Sequence, residues 1–364
     1  MAKKQNPATC GQLVIEEHTS EILADNPLGD PATRPLHVYL PPQYHAARSA
    51  NRRFPVLFDL VGYTGSGQSH TNWRNFEENV PEKLDRLINA NQMPPCIVVF
   101  PDCFTALGGN QYINSPAIGR YADYLTRELV PFVDQQFRTR AQREHRGCFG
   151  KSSGGYGAMV HGMRYPNIWG AIANHSGDAY FDFIYKAEWP QVLTALQRFM
   201  TPRRKAGQRR KVSRQTTPGW DDGRIRNFLD YCWQTEKLSG GDITTLMMIC
   251  MAATYDPHRK APNGFRLPYD LETGELIERR WQTWLKHDPI HMVAKYKDNL
   301  KSLRGIFIDC GWRDQYHIHF GSRQLSRQLT KFAITHRYEE FDGTHSGIDY
   351  RMDISLPYLA KRLC

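Results

Sequence analysis

Short apolar runs recur through the first half of the chain, at 13–15, 36–40, 55–61, 96–100, 147–149 and 171–173. They are rich in β-branched and aromatic residues and bounded by turn formers, the pattern of buried strands. Helical periodicity falls between the later runs, over 82–90, 121–137 and 155–164. The first two runs are joined by the Pro-rich loop 26–31, which suits antiparallel edge strands. Strand–helix alternation after that predicts an α/β fold: a mostly parallel sheet of about eight strands with helices on both faces.

From 186 to 287 the alternation stops. This stretch carries Trp189, Trp220, Trp233, Trp281 and Trp284 and amphipathic helical segments such as 224–234, with no convincing strand pair. Alternation resumes at 306–309 and 338–341, and 348–363 reads as a closing helix. The expected organisation is a core of 1–185 and 288–364 interrupted by a largely helical lid, 186–287. The tryptophans then equally serve a small core belonging to the lid itself.

Composition narrows the class. At 364 residues with 40% hydrophobic and 23% charged positions, the chain is globular rather than disordered. Its most apolar run, 246–253, is far too short for a bilayer, and no apolar stretch follows the basic start as in a signal peptide. The eight cysteines are scattered without a C-x-x-C pair, which favours free thiols and a cytoplasmic location. The net charge is +10, and seven cations without an acid lie in 202–214 alone. Such a run reads as a solvated loop or, alternatively, a patch for anions. Aromatic residues do not alternate with it, so neither a nucleic-acid nor a membrane partner is expected.

The candidate chemistry begins at Gly150-Lys151-Ser152-Ser153-Gly154-Gly155. This G-x-S-x-G lies between an apolar run and a helical segment, the setting of a nucleophile elbow. A serine hydroxyl needs a base to take its proton and a third group to orient that base, in the chain order Ser, Asp, His. Asp314 follows the run 306–309, and His345 follows 338–341 after a glycine, so Ser152, Asp314 and His345 are the candidate triad. Asp178 is a rival acid, whereas Asp309, ending its strand, is expected to point into the sheet edge. The oxyanion needs two fixed N–H donors. Ser153 supplies one, and Tyr63, in the Gly-rich loop 61–67, supplies the other. That loop lacks the G-K-[ST] ending of a phosphate loop. His317 and His319 form an H-x-H, but no metalloprotease-type carboxylate–histidine set accompanies them. Neither metal nor cofactor is expected.

With these pieces assembled, the chain resembles the esterase D-like branch of the α/β-hydrolases. That branch includes S-formylglutathione hydrolases, feruloyl esterases, enterochelin esterases and mycolyltransferases. The resemblance covers about 14–181 and 288–363. It is carried by Val38-Tyr39-Leu40-Pro41-Pro42, Pro55-Val56-Leu57-Phe58, Gly62-Tyr63-Thr64-Gly65, Val98-Val99-Phe100-Pro101-Asp102, the elbow with Gly155-Tyr156-Gly157-Ala158, and Gly343-Thr344-His345. It implies a serine carboxylesterase-type hydrolase acting on a small-molecule ester or thioester. An acyltransferase on the same triad, or an inactive fold used for binding, remains open, as does a homodimer. Two departures stand out. Val61 replaces a common histidine before the oxyanion loop, and Lys151 replaces a neutral or histidine residue before the nucleophile. Lys151 leaves open an anionic substrate or a salt bridge. Substrate choice is expected to reside in the lid.

Overall fold

The apolar runs form the sheet their pattern predicts. The computed structural model describes residues 10–46, 51–200 and 221–364. Eight strands lie in the order β1 (Gln12–Thr19), β2 (Thr33–Leu40), β4 (Ile97–Phe100), β3 (Val56–Leu60), β7 (Arg146–Lys151), β8 (Ala171–His175), β9 (Gly305–Gly311) and β10 (Arg337–Phe341). A two-stranded hairpin, β5 (Asn114–Ser115) and β6 (Gly119–Arg120), is the one strand pair the sequence pattern missed. The β1–β2 and β2–β4 pairs are antiparallel, and every other neighbour in the main sheet is parallel. This is the α/β-hydrolase arrangement.

Period-2 alternation sorts the strand side chains onto two covered faces. Val56, Phe58, Leu60, Val99, Ile172 and Ile308 join one apolar cluster, and Leu57, Val98, Phe149, Ala173 and Phe307 join the other. The helix Ser153–Arg164 packs on the first, while Val80–Asn89 and Met352–Leu363 close the second. Each fully buried aliphatic or Phe side chain contributes roughly 1.5–3 kcal/mol, so both coverings are needed.

Between β8 and β9 the described part of 186–287 holds the helices Trp189–Gln197, Arg224–Gln234, Gly240–Tyr255 and Glu278–Leu285, with an irregular stretch over 256–277 that carries isolated antiparallel bridges, Pro257 with Phe265 and Tyr269 with Leu276. The basic run 202–214 and Trp220 lie outside the described residues. Trp189, Trp281 and Trp284 are fully buried, but not in a core of their own. They belong to the same apolar cluster as the first sheet face, through Tyr255 and Tyr156 on the helix Ser153–Arg164. That corrects the expectation of a separate lid core. Gly240–Tyr255 is apolar nearly all round, and a helix of that kind must be enclosed. Among the described residues no helix is long and apolar enough to cross a membrane. None of the eight cysteines, all of them among the described residues, is in a disulfide.

A buried polar cluster clamps the second half of the sheet. Asp309, on β9, is fully enclosed and accepts from His175 Nδ1 on β8 at 2.6 Å and from Arg351 Nε at 2.8 Å. Arg351 also reaches Glu339 on β10, and His175 Nε2 meets Ser355 Oγ at 2.8 Å. Asp309 therefore does not point into a sheet edge. A carboxylate this buried is held by its two basic partners, a pairing that strand periodicity cannot reveal. Breaking one member of a buried ion pair typically costs about 3–5 kcal/mol. Asp309→Ala is expected to lose that much in urea unfolding, and a loss under about 1 kcal/mol would show that the cluster does not hold the sheet.

Candidate active site

The chain turns sharply between β7 and the helix Ser153–Arg164, and Ser152 occupies the turn at φ 57°, ψ −123°. Few non-glycine residues adopt a positive φ, and the conformation costs on the order of 1–3 kcal/mol. It persists because the backbone on both sides is fixed: Ser152 N–H donates to His175 O at 2.9 Å, and Tyr156 N–H donates to Ser152 O at 2.9 Å. The flanking glycines are required by contact. A Cβ at Gly150 would sit 2.2 Å from Leu60 O, and one at Gly154 would sit 1.7 Å from the same atom.

The other two candidate triad residues meet. His345 Nδ1 lies 2.7 Å from Asp314 Oδ2, with both side chains buried. Asp314 Oδ1 accepts the Tyr316 amide at 2.9 Å, and Tyr316 packs edge-on against the His345 ring. The His345 amide donates to Gln315 Oε1 at 3.0 Å. Asp314 thus takes Nδ1 and leaves Nε2 as the ring nitrogen free for chemistry. Ser152 and His345 border one cavity of about 370 Å³ together with Tyr63 and Ser153.

The loop after β3 brings the first oxyanion candidate to the elbow. Gly62 packs so closely that a Cβ there would lie 3.5 Å from Ser152 Cβ, and Gly65 N–H closes the turn onto Gly62 O at 3.0 Å. The Tyr63 ring turns away from the chemistry, and its hydroxyl donates to Leu107 O at 2.6 Å. Its amide has no acceptor among the described residues. Ser153 is the first residue of its helix, so its N–H has no partner within the helix and lies at the positive end of the helix dipole.

The rival acid is occupied elsewhere. Asp178 Oδ2 accepts from Tyr185 OH at 2.8 Å and Gln111 Nε2 at 3.1 Å, and no hydrogen bond joins it to His345. Burial raises the Asp178 carboxyl above the usual aspartate range, against the opposing pull of Tyr185, the His345 charge and Gln111. Gln111 also donates to Ser153 Oγ at 2.9 Å, tying this acid to the elbow. Nothing in the sequence marks Gln111. His70 and Asp59, paired at 2.6 Å beneath the cavity, were also missed, although an aspartate inside the apolar run 55–61 was a visible signal. Burial works to lower the His70 ring, but the Asp59 charge and hydrogen bond outweigh it and the ring is raised.

Lys151 also borders the cavity. Burial lowers its ammonium below the usual lysine value, only partly countered by the charges of Asp349 and Asp314. Arg74, on the same cavity, contacts Asp349 at 2.8 Å. His317 opens the helix Ile318–Lys331, and its ring centroid lies 6.3 Å from that of His319. The described residues contain no group of three or more metal-capable side chains around these histidines or elsewhere.

The family model described as "Putative esterase" matches residues 31–355. An esterase of Mycobacterium tuberculosis is 27% identical over 169 residues, 44% of this chain and 33% of that protein. An endo-1,4-beta-xylanase/feruloyl esterase of Xylanibacter ruminicola is 29% identical over 150 residues, 40% of this chain and 19% of that protein. The chain thus spans a third or less of those relatives' lengths. Among solved structures, a ferulic acid esterase superposes with TM-score 0.57 at 16% identity, covering 98% of this chain and 99% of that one. An S-formylglutathione hydrolase from Agrobacterium tumefaciens gives 0.55 at 16% identity, covering 99% of each chain.

The raised Asp178 carboxyl has a measurable consequence. A raised acid is penalised in the folded state once pH exceeds its ordinary value, and the penalty is complete above the raised value. Asp178→Asn keeps an oxygen for both donors and removes that penalty. The variant is expected to be more stable than the parent at about pH 8, with the difference vanishing as pH falls toward about 4. Urea unfolding across pH checks this, and an equally stable parent at alkaline pH would contradict it.

Proposed function

We propose, from the chain's membership of the "Putative esterase" family, that it is a carboxylesterase-type hydrolase that cleaves a small-molecule carboxylic ester or thioester through an acyl-enzyme on Ser152. The observation that carries this reading is the 2.7 Å contact of His345 Nδ1 with Asp314, beside a cavity that Ser152 also borders. Asp314 accepts the Nδ1–H and so keeps Nε2 unprotonated. His345 takes the Ser152 proton as the hydroxyl oxygen attacks the carbonyl carbon. The Tyr63 and Ser153 amides receive the developing oxyanion. Collapse breaks the bond to the alcohol or thiol, and His345 delivers the proton to that leaving atom. Water, activated by the same histidine, then releases the acid from Ser152. No step needs a metal or cofactor.

The stretch 186–287 acts as the lid in this reading. Glu188, Ile243, Thr244 and Met247 all come from it and border the cavity, so it shapes the space for the substrate beyond the reacting carbonyl. Ile243 and Met247 give this wall an apolar patch that suits an acyl or aryl group.

A fluorophosphonate probe should label the parent and not Ser152→Ala; equal labelling of both would sink the assignment. His345→Ala should lower kcat on a short-chain aryl ester by about four orders of magnitude. A drop of less than about tenfold would remove His345 from the base role.

A further inference from the structure

Four basic side chains border the cavity: His70, Arg74, Lys151 and His345. Three have an acid in contact, His70 with Asp59 at 2.6 Å, Arg74 with Asp349 at 2.8 Å and His345 with Asp314 at 2.7 Å. The Lys151 side chain alone makes no ion pair or hydrogen bond with any of the described residues. It is nonetheless half-buried. Its Nζ is not among the sealed, unpartnered polar atoms of the described residues, so the ammonium keeps access to the cavity. Its place on the cavity wall is set by the backbone, since β7 ends at Lys151, paired with His175 in register, and the strained Ser152 follows directly.

The direction of the site follows from the chemistry. His345 protonates the departing atom, so the leaving group lies on the His345 side of the reacting carbonyl. The loop that carries His345 runs on to Asp349, which also borders the cavity, and Asp349 and then Asp314 are the charges Lys151 feels most, followed by Arg74. Asp349 is itself engaged by Arg74, and its charge together with that of Asp314 would repel a dianion. One unpartnered ammonium in this setting matches one negative charge.

We infer that Lys151 selects substrates whose leaving group carries a carboxylate, which pairs with the lysine ammonium as the ester carbonyl reaches Ser152. The inference rests on the esterase reading given above. It assigns a specificity role to Lys151, with the acyl side left to the lid.

The test compares 4-nitrophenyl acetate with 3-carboxy-4-nitrophenyl acetate, which share an acyl group and differ by one carboxylate on the leaving phenol. The quantity read is the ratio of kcat/KM for the anionic ester to that for the neutral one. Lys151→Met is expected to lower this ratio about tenfold, the worth of one modest charge pair. Lys151→Arg should keep it within about threefold. In the unmodified protein, added salt should lower the ratio, because screening acts only on the charged ester; this arm needs no variant to fold. An unchanged ratio in Lys151→Met, an equal loss in Lys151→Arg, or a salt-independent ratio in the parent overturns the inference. If Ser152→Ala hydrolyses both esters as the parent does, the esterase reading fails instead, and the two failures are told apart.

Discussion

The close approach of the Leu60 carbonyl to the turn after β7 is the constraint on which the rest of the site depends. No side chain fits at Gly150 or Gly154 while that oxygen stays where it is. One contact therefore joins the end of β3, the turn and the first turn of the helix Ser153–Arg164. The loop carrying Tyr63 leaves β3 directly beyond Leu60, so the two N–H groups proposed for the oxyanion are set by the same packing. The strain at Ser152 is small beside the burial of the two central strands, which are enclosed on both faces. Strain of this kind survives only where the surroundings over-determine it, and here they do.

The histidine and aspartate of the proposed triad arrive by another route. Both sit in loops after neighbouring parallel strands, β9 and β10, whose register brings Cys310 opposite Glu340 and Gly311 opposite Phe341. Parallel pairing thus delivers both loops to the same end of the sheet as the elbow. The clamp of Asp309 by His175 and Arg351 fixes β8 against β9, and His175 also supplies the carbonyl that holds the Ser152 amide. Structural polar groups and the proposed nucleophile share one residue of scaffold between them.

Much of this was legible in the chain. The inner strands of the main sheet stood out because a strand buried on both faces is a short, nearly unbroken apolar run bounded by turn formers, whereas the edge strands β1 and β10 are only partly buried and carry a weaker signal. Ser152, Asp314 and His345 were legible because each follows such a run. What the sequence hid was set by contacts between distant residues. Asp309 reads as a strand-terminal polar residue until His175 and Arg351 are seen around it. Gln111 lies in a loop with no periodicity, yet it links Asp178 to Ser153. Trp189, Trp281 and Trp284 gave no sign that they pack through Tyr255 onto the helix of the elbow, because an amphipathic pattern tells that a face is buried and not against what. Lys151 was visible as an oddity, but its want of a partner is a fact of three dimensions.

The chain holds a second serine–histidine–aspartate series in Ser355, His175 and Asp309, joined at 2.8 and 2.6 Å. All three are sealed from solvent, and no strained turn presents the serine. The same donors and acceptors that would make a nucleophile at a cavity wall serve at this depth as mortar between two strands and a helix. On the proposed reading, what separates reagent from building material in this protein is access: room for a carbonyl to approach, and amides waiting for the charge that its oxygen takes on.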